Sequence, residues 1–176
     1  LLGDGECAEG SVWEAAEIAA YYKTSNLFAI VDVNGMGQSQ QTMDRFDVEK
    51  FAAKFRAFGW FAVTVDGHNY DEILAAFEKC RREGGDLPRA IVAKTHKGHG
   101  VSLFENKEGW HGKPVPKQDL DKVLAELSTP FASDGFRPNL PQGAPPPPDE
   151  APIEITVNRK LGDSVATREA YGDALA

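Results

Sequence analysis

The run Leu27-Phe28-Ala29-Ile30-Val31-Asp32-Val33, closed by Asn34, sets the architecture. It is almost continuously apolar and does not alternate, as expected of a central strand covered on both faces. Upstream, Ser11 with Glu14 three positions later reads as a capping box, and Trp13, Ala16 and Ala20 continue at helical spacing toward Thr24. Downstream, Asp47 is placed to cap a helix carrying Phe51, Phe55 and Phe58 on one stripe, with Gly59 stopping it before a strand at 61–65. Asp66-Gly67 then turns into a helix with Ile73, Leu74 and Phe77 expected to face inward. Gly84-Gly85 ends that helix, a strand follows at 90–95, and a last helix is expected at 118–127. Alternating helices and strands predict an α/β domain with a mainly parallel sheet and helices on both faces.

The 176 residues carry 19 Lys+Arg and 27 Asp+Glu, a net charge of −8, and 41% of them are hydrophobic. That composition supports a buried core, and the acidic balance without a basic stripe speaks against nucleic acid or an anionic membrane as the main partner. No apolar run approaches the ~20 residues needed to cross a bilayer. Two cysteines, Cys7 and Cys80, give no disulfide framework, which points to a reducing compartment. Leu1 stands where Met is usual, and Leu1-Leu2 reads as the end of a buried strand that began earlier, so a chain truncated at both ends is expected. The segment from His96 to Lys117 has neither helical nor strand period, a length that in compact domains usually serves function. Pro138 to Pro152 holds seven of the eleven prolines. This divides the chain into a domain over 1–137, an extended linker over 138–160 and the opening of another domain over 161–176.

Gly3-Asp4-Gly5 follows the first strand, and Asn34 follows the next. In a parallel sheet both lie at the carboxyl ends, where α/β domains bind ligands. A carboxylate and an amide oxygen form a sparse hard-oxygen site for Mg²⁺ or Ca²⁺, completed by phosphate and water oxygens. Glycines there let a phosphate approach the backbone. Read separately, Gly3-Asp4-Gly5 is equally a tight turn and Asn34 a strand-end cap. His96 and His99 lack a second ligand pair for zinc and read as loop residues. Asp66-Gly67-His68 reads as a turn, and Cys7 as a small core residue. No Gly-x-Gly-x-x-Gly follows a strand, so dinucleotide binding ranks last.

Gly3-Asp4-Gly5, 28 intervening residues and Asn34 together resemble the motif by which thiamine-diphosphate enzymes hold metal and diphosphate. The runs Gly5-Glu6-Cys7-Ala8-Glu9-Gly10-Ser11-Val12-Trp13-Glu14-Ala15, Lys94-Thr95-His96-Lys97-Gly98-His99-Gly100 and Trp110-His111-Gly112-Lys113-Pro114 are more specific. In that order, and through Ala166-Thr167-Arg168-Glu169-Ala170-Tyr171-Gly172, they resemble the transketolases, their animal-type branch above all. The resemblance implies a thiamine-diphosphate-binding fold, with the pyrimidine-binding domain opening after the linker.

It further implies that Asp4, the Asn34 side chain and the Met36 carbonyl bind Mg²⁺ or Ca²⁺, and that Gly5 and Asn34 touch the diphosphate. Lys97 and His111 would lie beside the cofactor. His111 would also contact the donor sugar as a catalytic residue, and Arg168 would grip a substrate phosphate. Glu9 would belong to a relay near a homodimer interface. The implied reaction is transfer of a two-carbon ketol unit from a ketose phosphate to an aldose phosphate in the pentose phosphate pathway, in the cytoplasm. The glutamate acting on the aminopyrimidine would come from the next domain of a partner subunit, so these residues alone are expected to hold half a site and to be inactive. Alternatives are another thiamine-diphosphate enzyme, such as 1-deoxyxylulose-5-phosphate synthase, and a non-catalytic cofactor-binding subunit. The Trp110 to Pro114 run argues against the first of these.

Overall fold

A computed structural model describes residues 1–127, 164–166 and 169–172. The chain divides into two units, Leu1–Pro130 and Phe131–Ala176. In the first, four strands form a sheet in the order β1-β2-β4-β3: β1 Leu2–Gly3, β2 Phe28–Val33, β3 Phe61–Asp66 and β4 Arg89–Lys94. All three pairings are parallel, so every carboxyl end points the same way. Helices α1 Gly10–Tyr21, α2 Val48–Ala57 and α3 Tyr70–Glu83 connect the strands, and α4 Leu120–Glu126 follows a 3-10 turn at Lys117–Asp119. In the second unit residues 169–172 are helical. The proline-rich linker and Arg168 lie outside the described residues.

The pleat assigns side chains to two faces. Val31, Val33, Ala62, Ala90 and Val92 meet α1 and α2 on one, where Phe51 and Phe55 of α2 are also buried. Trp13 of α1 packs on Phe55 and Phe58 at ring-centroid distances of 5.3 and 5.5 Å. The expected aromatic stripe is therefore the core, and burying Phe55 alone contributes about 2–3 kcal/mol. On the other face Ile91, Phe28 and Phe61 meet Ala76, Phe77 and Cys80 of α3. Helices thus cover both faces. Asp47 caps α2 by accepting from Lys50 N at 3.0 Å, and Asn69 caps α3.

Three local expectations are corrected. The capping box at Ser11 is absent: α1 begins at Gly10 with Glu9 as its cap residue and no side-chain cap bond, because the 3-10 turn Glu6–Ala8 runs into the helix two residues early. Leu74 is 64% exposed, since the buried stripe of α3 runs through Ala76 and Cys80 and leaves Leu74 on its flank. Leu1 is 90% exposed, and the first strand is Leu2–Gly3, with Leu2 opposite Val31. From His96 to Pro116 no helix or strand forms, as expected.

Candidate functional site

Parallel register brings the ends of β1 and β2 together. Gly3 pairs with Asp32, and Asp4 N donates to Asp32 O at 3.0 Å, so the Asp4 side chain emerges beside the turn that follows β2. Its carboxylate is 4% exposed and accepts from Gly5 N at 3.0 Å, Gly35 N at 2.9 Å and Thr42 Oγ1 at 2.7 Å. Among the described residues no ion pair involves it. Burial raises its pKa above the ordinary carboxylate value, against the pull of those three neutral donors and with a small push from Asp32. A buried carboxylate with neutral donors only is a group that a cation would stabilise.

Asn34 Oδ1 accepts from Met36 N at 2.9 Å, a local turn that leaves the amide oxygen one lone pair. Gly35, with φ of +73°, sits against the Phe46 ring and makes that turn possible. Thr42 N returns to Gly35 O at 3.0 Å, Gly37 N donates to Gln40 O at 2.8 Å, and Met36 bridges Gln41, so residues 35–42 fold back as one strap. Among the described residues no three His, Cys, Asp or Glu could enclose a metal. An ion held here would instead take oxygens from Asp4, Asn34 and the Met36 carbonyl and fill the rest from phosphate and water, which fits a hard divalent cation.

A second group assembles from the loop after β4. Met36, Lys97 and His111 line one crevice with Gly37, Gln40 and Trp110. Lys97 Nζ lies 3.0 Å from His111 Nδ1. An ammonium only donates, so in this hydrogen bond Nδ1 is the acceptor. Gly5 lines a separate cavity of about 220 Å³ with Asp4, Cys7 and Thr42. The Cys7 thiol is pushed up to about 11, by burial first and by the Asp4 charge second, which suits a packing residue rather than a nucleophile. Glu9 stands exposed at the start of α1.

Sequence reasoning passed over Thr42 and read His68, His96 and His99 only as turn and loop residues. Thr42 sits in an irregular stretch, and only the fold of the strap delivers its hydroxyl to Asp4. His68 is more than a turn residue. Its Nε2 accepts from His96 N at 2.8 Å, and its ring stacks on His99 at 3.9 Å between centroids. The three imidazoles tie the ends of β3 and β4 together.

Residues 1–134 match the family described as "Transketolase, thiamine diphosphate binding domain". The whole chain is 43% identical to the transketolase of Rattus norvegicus and 42% identical to that of Homo sapiens, and it spans 28% of the length of each. Among solved structures, the transketolase of Campylobacter jejuni superposes with a TM-score of 0.63 at 29% identity, covering 79% of this chain and 21% of that one. A transketolase of Pichia stipitis in complex with sedoheptulose-7-phosphate gives 0.62 at 27% identity over 70% of this chain and 18% of its own. A match over three quarters of the sequence, on a parallel sheet with the same fold, decides the affiliation: the chain belongs to the transketolase family, its residues 1–134 matching the thiamine diphosphate-binding domain.

Proposed function

We propose that the protein carrying this chain is a transketolase, moving a two-carbon ketol unit from a ketose phosphate to an aldose phosphate in the pentose phosphate pathway. It works as a cytoplasmic homodimer with thiamine diphosphate and Mg²⁺ or Ca²⁺. Among the described residues no helix is long and apolar enough to cross a membrane. One observation carries the reading: a buried carboxylate with no cationic partner among the described residues, Asp4, stands at the end of β1 against the Asn34–Met36 turn at the end of β2.

When bound, thiamine diphosphate supplies the carbon–carbon bond chemistry. The chain's residues hold and orient. Asp4, the Asn34 side chain and the Met36 carbonyl hold the metal, and Gly5 and Asn34 meet the diphosphate. Lys97 offsets diphosphate charge and, by occupying Nδ1, fixes His111 in the tautomer whose Nε2–H donates to a donor-sugar hydroxyl. Arg168 grips the sugar's phosphate, turning remote binding into orientation of the reacting carbons. Glu9, exposed at the start of α1, contributes to the relay between subunits.

Calorimetric titration with thiamine diphosphate and Mg²⁺ tests the reading, for the native sequence and for Asp4→Ala. Metal-dependent binding that disappears in the variant is expected, together with ketol transfer by the intact protein. Binding that is indifferent to metal, or unchanged in Asp4→Ala, would refute it.

A further inference from the structure

The fold treats the two oxygens of the Asp4 carboxylate differently. Oδ2 accepts two donors, Gly35 N at 2.9 Å and Thr42 Oγ1 at 2.7 Å, whereas among the described residues Oδ1 accepts only Gly5 N at 3.0 Å. Each carboxylate oxygen offers about two lone-pair sites. Oδ2 is therefore filled and Oδ1 has one site left. Asn34 Oδ1, with a single donor in Met36 N, is in the same condition.

We propose that Thr42 is a positioning residue of the metal site: its hydroxyl, with Gly35 N, sets the rotation of the Asp4 carboxylate so that Oδ1 presents its open lone pair to the cation. The proposal rests on the reading of Asp4 as a metal ligand. Without the hydroxyl, Oδ2 keeps one backbone donor, the same number as Oδ1. The two oxygens then compete, and the carboxylate loses its fixed presentation.

The strap that brings Thr42 into place makes this specific. Thr42 stands eight residues beyond Asn34, yet its N–H bonds Gly35 O at 3.0 Å, and Met36 bridges Gln41 immediately before it. The segment that supplies Asn34 and Met36 as ligands thus returns to aim the third ligand, Asp4. Groups that orient a metal's ligands commonly change affinity by about 10–100-fold when removed.

The test compares Thr42→Val, which keeps the shape and removes the hydroxyl, with Thr42→Ser, which keeps the hydroxyl. Both are made in the intact protein carrying this sequence. Mn²⁺ affinity is read by electron paramagnetic resonance at saturating thiamine diphosphate, and the metal dependence of turnover is split into an activation constant and a limiting rate. Thr42→Ser is expected within about twofold of the native protein. Thr42→Val should bind Mn²⁺ about 10–100-fold more weakly, with a raised activation constant and an unchanged limiting rate at saturating metal. If Thr42→Val does not fold, as judged by its melting transition, Thr42→Ala carries the same comparison. Native affinity in the hydroxyl-free variant overturns the proposal, and so does an equal loss in the Ser and Val variants. A native protein that binds no Mn²⁺ with the cofactor overturns instead the assignment of Asp4 as a ligand, and this proposal falls with it.

Discussion

The two arms of the site are held by different means. The strand-end arm, Asp4 with residues 34–42, is stitched by backbone and hydroxyl donors onto a carboxylate that is 4% exposed. The loop arm, His96 to His111, is held by contacts at exposed positions: Lys97 to His111, Asn106 to His96, Ser102 to Glu126, Lys107 to two backbone carbonyls, and a stack of imidazoles. Buried hydrogen bonds to a charged group are costly to break, while exposed ones exchange with water at little cost. The first arm therefore couples folding to binding, whereas the second can change its binding without disturbing the fold.

The largest effect should come from Gly35→Ala. A Cβ there would meet three atoms of the Phe46 ring at 3.1–3.3 Å, at a φ of +73°. The expected loss is about 1–3 kcal/mol of stability together with weakened metal-dependent cofactor binding, read by thermal melting and calorimetry. Gly112→Ala on the loop arm sharpens the contrast: φ is +69°, but nothing lies within 4 Å of the added carbon. It should cost only the conformational part, about 1 kcal/mol. Equal costs at the two glycines would erase the distinction between the arms.

A smaller effect is expected from Lys97→Ala. If Lys97 offsets diphosphate charge as proposed, removing this half-buried cation should weaken cofactor binding by about tenfold, or about 1.4 kcal/mol, with no change in melting temperature. A melting temperature that falls as far as it does for Gly35→Ala would show the loop arm to be structural as well.

The smallest effect is a pH response. His68 is held below its ordinary value of 6.5, by burial first and then by His99. The unfolded chain therefore takes up this proton first, and the contribution to stability is lost as pH falls below 6.5 through the lower folded value. A protonated Nε2 also cannot accept from His96 N. The protection factor of the His96 amide, corrected for the intrinsic pH dependence of exchange, should fall by up to about tenfold below that pH, while that of the Gly35 amide holds. An equal fall at both amides, or none at His96, would count against this picture.

Much of the fold was legible because it rests on short-range pattern. The run before Asn34 became an inner strand, and Phe51 and Phe55 became core, since period and apolarity report burial directly. The misplacements were local competitions. Glu9 took the cap position from Ser11 because a 3-10 turn arrived first, and Leu74 lay just off a stripe that Ala76 and Cys80 define. At the candidate site, Asp4 and Asn34 were readable from their place after strands. Thr42 and His68 were not, because nothing in their own neighbourhoods marks them.

The sequence by itself determined the alternation of elements, the placing of Asp4 and Asn34 at strand ends and the family to which the chain belongs, because these follow from periodicity and from contiguous motifs. Only the tertiary structure decided that Thr42 and Gly35 fill one oxygen of Asp4, that Lys97 meets Nδ1 of His111, and that His68 accepts from the backbone of the loop after β4. Each of those pairings joins groups far apart in the chain, and their meeting depends on parallel register and loop closure, which no local pattern encodes.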